Sequence, residues 1–301
     1  MEKIIVSEEN KYYSDINGVL FNSSKTQLLV YPGNKSDITY TIPDSVKEIK
    51  KESFSATVLE ELIIPDSVDH IENEAFRTAS CIKNFKVDSE NKTYSDIDGV
   101  LCDKDKKTLI SYALGRKNTS YNVPEGVENI EKYAFFSSEL TAVTLPDSLK
   151  MISDYGLGNC FKLEKIRIPD ECVSIESRAF TNDMSLAKIV IPGDISYISD
   201  IAFQSCDKAV IYGYKDSYAE KYASDNKIPF VDLDTVEPEN ELQGDLSGDG
   251  TVNAQDLVLL LKILLNMETG LSEEQLEAAD INNDGKVNVM DLIHLKQLLF
   301  E

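Results

Sequence analysis

Asp245, Ser247, Asp249, Asn253 and Asp256 place oxygen side chains at positions 1, 3, 5, 9 and 12 of the stretch DLSGDGTVNAQD, with Gly250 at position 6. The pattern recurs in DINNDGKVNVMD, where the same positions hold Asp280, Asn282, Asp284, Asn288 and Asp291, with Gly285 at the bend. Alternate hard oxygen ligands wrapped around a glycine turn are what a Ca²⁺ ion selects. At position 7, Thr251 and Lys286 offer backbone carbonyls, and Asn253 and Asn288 complete the shell directly or through a water. Three carboxylates per loop favour a dication, and Ser247 is the weakest ligand, which makes the first site the looser of the two. Position 12 is Asp in both loops rather than the usual Glu. The side chain is one methylene shorter, so the following helix must approach the ion more closely.

Each loop leads into a leucine-dense helix. In LVLLLKILL, residues Leu257, Leu260, Leu261 and Leu264 form the stripe that a small core needs. Val258, Leu259, Ile263 and Leu265 are then left on other faces, a surplus that points to an interface, with packing between the two halves as the alternative. No helix enters the first loop, because Pro238 and Gly244 break the pattern, and a short central helix is expected over SEEQLEAA. This duplicated loop-and-helix arrangement resembles a type I dockerin. The resemblance implies two bound Ca²⁺ ions, an F-hand fold, and a cohesin module on a scaffoldin as partner. It places the partner-reading residues at Ala254, Gln255, Leu261 and Lys262 in the first half, and at Val289, Met290, Lys296 and Gln297 in the second. The Ser/Thr pair familiar in such domains is absent from both halves. The apolar Val289-Met290 pair makes the second half the favoured contact.

The rest of the chain is repetitive. TIPDSVKEIKKESF, IIPDSVDHIENEAF, NVPEGVENIEKYAF, TLPDSLKMISDYGL, RIPDECVSIESRAF and VIPGDISYISDIAF are copies of one phrase, with prolines at 43, 65, 124, 146, 169 and 192. A larger period of 81 residues carries NKYYSDINGVLF at Asn10 into NKTYSDIDGVLC at Asn91. Each unit reads as a strand with apolar residues two apart, such as Ile166 and Ile168, stopped by proline. A second apolar pair and a bulky residue such as Phe54, Phe76, Phe135, Phe180 or Phe203 follow. One unit cannot bury those faces alone, so the units must stack. GVLFNSSKTQLLVYP and GVLCDKDKKTLISYA predict β-hairpins let into the array.

These phrases resemble the BspA-like (type 5) leucine-rich repeats of bacterial surface and secreted proteins, from about Lys3 to Leu233. Ser217–Asn226 is expected to form a closing helix. The resemblance implies adhesion or binding of proteins at surfaces. Alternation along the strands predicts one exposed column made of Thr41, Ile63, Lys86, Asn122, Thr144, Arg167 and Val190, a candidate face for an unidentified ligand.

Composition sets limits. Lys and Arg number 30 against 53 Asp and Glu, a formal net charge of −23, which disfavours nucleic acid and anionic membranes as partners. No apolar run reaches the ~18 residues of a membrane span. The first residues, MEKIIVSEENKYY, contain no signal peptide. They also match the interior of a repeat, so the chain reads as a trimmed, secreted protein with Met1 an added start. Five cysteines, Cys81, Cys102, Cys160, Cys172 and Cys206, lack metal-ligand spacing and read as core residues. His70 and His294 are isolated, and no hydrolase or nucleotide-binding motif occurs.

The expected architecture is multidomain: a β-rich leucine-rich-repeat solenoid over 1–233, a linker over 234–243, and a small all-α dockerin with two F-hand calcium loops over 244–301. The expected role is a non-catalytic, extracellular cellulosome component whose repeats bind a protein or cell-surface target. A structural or inhibitor-like accessory and a hydrolase with its site in the solenoid are the alternatives.

Overall fold

The computed structural model describes residues 1–235, 244–248, 251–265, 267, 269–271, 275–276, 278–281 and 286–300. The chain divides into two compact units, Met1–Leu233 and Asp234–Glu301.

In the first unit every coil supplies two short strands. The longer ones pair in parallel as two separate sheets. Thr39–Thr41, Glu61–Ile64 and Asn84–Val87 form a three-stranded sheet. Ser120–Asn122, Ala142–Thr144, Lys165–Arg167, Lys188–Val190, Val210–Gly213 and Phe230–Asp232 form a six-stranded one. Their central apolar residues, among them Leu62, Phe85, Val143, Ile166, Ile189 and Ile211, are buried. A proline then ends the strand, since it has no N–H to donate. Its carbonyl accepts the amide three residues on, as in Val46 N to Pro43 O (2.9 Å) and Leu149 N to Pro146 O (3.0 Å). Two-residue strands such as Met151–Ile152 and Ser174–Ile175 follow and also pair in parallel. Phe54 and Phe76 pack with ring centroids 5.6 Å apart, and Phe180 and Phe203 stack at 5.0 Å, so these rings continue the core from coil to coil.

The 81-residue period is visible as three-stranded antiparallel meanders. Tyr13–Ile16, Val19–Asn22 and Gln27–Val30 form the first, and Tyr94–Ile97, Val100–Asp103 and Thr108–Ser111 the second. Their tight turns are Asn17-Gly18 (φ 52° and 83°) and Asp98-Gly99 (φ 48° and 79°), the left-handed pair that a two-residue hairpin requires. The turns are tied to the neighbouring chain, through Ile4 N to Gly18 O (2.9 Å) and Phe85 N to Gly99 O (3.0 Å).

At the second meander both parallel ladders stop and restart, and the apolar interior divides into two clusters. Side chains stitch the break. Asn91 is fully buried and donates from Nδ2 to Pro65 O (2.7 Å) and Val68 O (3.0 Å) of the preceding coil. Its Oδ1 accepts from Thr93 N (2.9 Å) and Tyr94 N (2.8 Å). The Tyr94 hydroxyl accepts from Ile71 N (2.8 Å). At the equivalent place 81 residues earlier, Asn10 accepts from Tyr12 N and Tyr13 N (2.9 Å each) and is exposed. The two asparagines therefore form an internal control. Asn91→Ala should lower the stability of the solenoid by about 3 kcal/mol, because two buried carbonyls lose their donor, whereas Asn10→Ala should cost about 1 kcal/mol or less. Urea unfolding of the two variants measures the difference.

At the far end, helix α1 (Tyr218–Asn226) is capped by Ser217, whose Oγ accepts from Glu220 N (3.3 Å). Ala219, Tyr222 and Ala223 pack onto the last coil, and Phe230–Asp232 adds the closing strand. All five cysteines are free thiols; Cys81 is half-buried and the others are buried.

The second unit contains helices α2 (Ala254–Leu264) and α3 (Val289–Phe300). Its core has Leu246, Leu260, Ala279 and Leu295 fully buried, with Leu257, Leu259, Ile263 and Leu264 packed against them. Leu261, expected in the core stripe, is instead exposed, and Leu259 and Ile263 take up core positions. On so apolar a helix the stripe is fixed by where the second half packs, which spacing alone does not reveal. Of the expected central helix, Gln275 and Leu276 are helical, and residues 272–274 and 277 lie outside the described residues.

Candidate metal loops and outward sheet faces

In both acidic loops the last residue is buried and accepts from the loop's own backbone. Asp256 is fully buried at the start of α2, and its carboxylate accepts from Ser247 N (2.8 Å) and Asn253 N (2.7 Å). It thereby joins the two ends of its own loop. Asn253 caps the helix reciprocally, its Oδ1 accepting from Gln255 N (2.7 Å). The described part of the second loop repeats the cap. Asp291 is fully buried and accepts from Asn288 N (2.7 Å), and Asn288 Oδ1 accepts from Met290 N (2.8 Å). The Asn253 and Asn288 amides also donate to the carbonyls of Thr251 (3.4 Å) and Lys286 (3.1 Å). With both asparagine oxygens given to helix caps, the water-mediated version of their expected part suits this geometry better than direct ligation. Asp245 Oδ1 accepts from Ser247 Oγ (3.1 Å), which keeps positions 1 and 3 together. Asp249, Asn282 and Asp284 lie outside the described residues, and among the described residues no group of three His, Cys, Asp or Glu side chains assembles.

The donor chemistry fits a hard cation. A carboxylate with no exposed surface needs compensating positive charge, and backbone N–H groups are all that Asp256 meets among the described residues. An oxygen-ligated dication is the group that such a ring accommodates.

Beyond the loops, α2 and α3 turn large apolar side chains outward. Val258 is 51 % exposed on α2, and Val289 and Met290 are 62 % and 49 % exposed at the start of α3. Ala254, Gln255, Leu261, Lys296 and Gln297 are exposed as well, and Lys262 is half-buried.

In the solenoid the expected column divides in two. Thr41 pairs with Ile63 and Ile63 with Lys86 on the three-stranded sheet. Asn122 pairs with Thr144 and Arg167 with Val190 on the six-stranded one, where the row continues to Tyr212. Ile63 and Val190 are half-buried and the other five are exposed. The second outward row, through Lys165 and Lys188, was not singled out in the sequence. Its signal is the same two-residue alternation read one step earlier on each strand.

Electrostatics in this unit run both ways. The ammoniums of Lys107 and Lys150 flank Glu128 and hold its carboxyl down at about 2. Lys50 similarly lowers Glu72 and Glu48. Asp183 is the opposite case. It is fully buried between the coils of Cys160 and Cys206, and burial pushes its carboxyl up to about 9, against the opposing hydrogen bond from Cys160 N to Oδ1 (2.7 Å). Its Oδ2 has no hydrogen-bond partner.

The family model for the BspA type leucine rich repeat region matches this chain in six copies, over residues 14–97 and 111–219, which is more than half of it. The chain belongs to the BspA-type leucine-rich-repeat family. Residues 243–300 match the dockerin type I domain, so the repeats are followed by a type I dockerin. Among solved structures, the repeats are similar to a leucine rich cell surface protein from Faecalibacterium prausnitzii, at 24% identity over 60% of this chain and 54% of that one, with a TM-score of 0.48. They are also similar to a leucine-rich repeat protein from Eubacterium ventriosum, at 20% identity over 60% and 61%, with a TM-score of 0.46. The chain thus spans between about half and three fifths of the length of these two proteins. No curated protein matches it. Dockerin domains bind cohesins in cellulosome-type assemblies and are calcium-binding modules, and leucine-rich repeats engage other proteins. Both kinds of domain are generally non-catalytic. Among the described residues no helix is long and apolar enough to cross a membrane.

Proposed function

We propose that this chain is a non-catalytic, secreted component of a cellulosome-type assembly. Its dockerin, over 244–301, plugs into a cohesin in a calcium-dependent way. Its repeats, over 1–233, present a binding surface to a protein or cell-surface target, with 234–243 as the linker. The observation that carries the reading is the matched pair of fully buried aspartates, Asp256 and Asp291, each ending an acidic loop at the start of a helix and accepting from the loop asparagine three residues before it. The helices behind them expose the apolar residues that a cohesin would cover.

Asp245, Ser247, Asp249, Asp256 and the Thr251 carbonyl would hold the first ion, with Asn253 acting through a water. Asp280, Asn282, Asp284, Asp291 and the Lys286 carbonyl would hold the second, with Asn288 in the same part. The bound ions fix the two loops, and through them the start of each helix. Val289, Met290, Lys296 and Gln297 make the leading contact with the cohesin, and Ala254, Gln255, Leu261 and Lys262 the lesser one.

Titration calorimetry of the full chain should count two Ca²⁺ ions, and a recombinant cohesin should bind with calcium and fail to bind in chelator. Fewer than two ions, or cohesin binding undiminished by chelation, sinks the reading. Within the loops, Asp280→Ala with Asp284→Ala should weaken cohesin binding more than Ser247→Ala does, because it removes two charged ligands rather than one neutral one.

A further inference from the structure

Where the second meander interrupts the array, some amides of the preceding coil lose the carbonyls they would otherwise meet. In each regular step one amide donates ahead to the next coil: Phe54 N to Ala75 O (3.2 Å), Phe135 N to Gly156 O (2.8 Å), Leu157 N to Ala179 O (2.8 Å) and Phe180 N to Ala202 O (2.9 Å). Another does so two residues earlier, as in Glu52 N to Glu74 O (3.2 Å) and Tyr133 N to Asp154 O (3.3 Å). Even at the closed end, the equivalent Phe203 N is met by the Tyr222 hydroxyl of α1. At the break the meander supplies substitutes for three forward amides. Ile71 N donates to the Tyr94 hydroxyl (2.8 Å), Phe85 N to Gly99 O (3.0 Å) and Val87 N to Asp96 Oδ2 (2.9 Å). Glu74 N and Phe76 N find no acceptor among the described residues, although Phe76 is only 6 % exposed.

These two amides belong to the wall of a cleft of about 330 Å³, lined by residues 71–77 on one side and by Ser111, Glu131 and Tyr133 on the other. Arg77 spans it. Its guanidinium carbon lies 5.3 Å and 5.0 Å from the ring centroids of Tyr133 and Phe136, and Nη1 donates to Glu74 Oε2 (3.0 Å). Its Nε is buried without a hydrogen-bond partner. Three N–H groups along one cleft therefore lack acceptors, where a folded chain normally pairs such groups. What the other coils offer at this place is a row of backbone carbonyls, so the missing group is a peptide edge.

The charges on the walls say which kind. Glu72 is held by Lys50, and Glu74 by Lys51 and Arg77. Glu131 accepts only from the backbone of Lys132 (2.9 Å), whose ammonium turns to Asp154 (3.6 Å). A carboxylate ligand would stand among these acids. Neutral carbonyls are accommodated, and a cation beside them would meet Glu131, which has no ion pair among the described residues.

We propose that this cleft takes in an extended, basic segment of a partner polypeptide, its carbonyls accepting from Glu74 N and Phe76 N and a lysine or arginine meeting Glu131. This deepens the reading that the repeats engage a protein and rests on it. The chain's net charge of −23 draws such a segment in from a distance.

The test is amide hydrogen exchange, read by NMR on the full-length calcium-loaded chain, with the capped peptide Val-Lys-Val-Lys-Val as probe. In the free chain Phe76 should exchange about a hundredfold faster than its bonded counterparts Phe54 and Phe135, and saturating peptide should slow it about tenfold. Glu131→Gln should weaken the peptide about threefold, the size of one partly exposed charge pair. Glu125→Gln, at an exposed turn, should leave binding unchanged. Phe76 exchange unchanged at saturation, equal loss in the two variants, or equal binding of Val-Glu-Val-Glu-Val overturns the proposal. Stronger protection by cellohexaose does so too, in favour of a glycan site. If the peptide protects amides elsewhere in 1–233 and not Phe76, this cleft falls and the reading that the repeats engage a protein stands. Protection nowhere in the repeats counts against both.

Discussion

Asp256→Ala combined with Asp291→Ala should leave the C-terminal unit unfolded and cohesin binding undetectable, while the solenoid melts as before. The unit's fully buried apolar residues number four among those described, Leu246, Leu260, Ala279 and Leu295, too few to order such a segment without help. Asp256 is the joint between Ser247 and Asn253, and on the proposed reading it is also a charged ligand of the ion. Alanine removes both parts and leaves two buried N–H groups without their acceptors, each costing about 1–3 kcal/mol. Asp291 stands in the same relation to Asn288. On the proposed reading, in which ion binding supplies folding energy, the variant should behave as the wild type does in chelator. Circular dichroism would show loss of the α2 and α3 signal alone. A double variant that keeps its helicity and binds cohesin would show that the loops do not hold this unit together.

Asp183→Asn should stabilise the solenoid at alkaline pH and change little near pH 4. The folded coil keeps a proton on Asp183 up to about pH 9, while the unfolded chain releases it near its ordinary value of 3.8. The folded state thus binds more protons between those limits. Its contribution is fully present below about 3.8 and is lost as the pH rises toward 9. Above 9 both states are ionised and the loss levels off. Asparagine keeps an oxygen for Cys160 N and carries no charge, so the slope disappears. The lowered carboxylates of Glu48, Glu72 and Glu128 act with the opposite sign, losing stability as the pH falls below their ordinary 4.5. Together they put the solenoid's optimum on the mildly acid side of neutral. Melting curves from pH 4 to 10 for the two proteins decide it; parallel curves would remove Asp183 from the account.

Much of this architecture is legible in the residues because repetition multiplies weak signals. One IPDSV phrase is a turn; six in phase specify stacked coils. Two acidic loops in phase, each before a leucine-rich helix, specify a docking module in the same way. What escaped reading depends on contacts between segments. The single outward column became two because the meander at Tyr94–Ser111 interrupts both ladders, and nothing in a strand's own residues says which strand it will pair with. Asn91 looks like any loop asparagine until its amide is seen bonded to Pro65 and Val68. Asp183 lies at the same place in its coil as Cys160 and Cys206, so only the filled interior shows that it is buried. Lys165 and Lys188 stand in a second outward row, because two positions of each three-residue strand face outward. Leu261 lies outside the core because the helix offers more leucines than the unit can cover.

The break at Asn91 also bears on how the solenoid holds a load. Elsewhere each coil is zipped to the next by backbone ladders whose bonds share strain along a row. At this junction the ladders are absent, and the coils are joined by scattered bonds instead: Asn91 and Tyr94 reaching back to Pro65, Val68 and Ile71, Val87 N to Asp96, Gly115 N to Ile82 O, Arg116 to Lys83 O, and the turn at Gly99. The solenoid therefore carries a built-in seam for any force drawn along it. Leu101 and Ala113 from beyond the break still pack into the first apolar cluster, so opening there would also tear apolar contacts, and the seam is the place where the row of shared bonds is weakest.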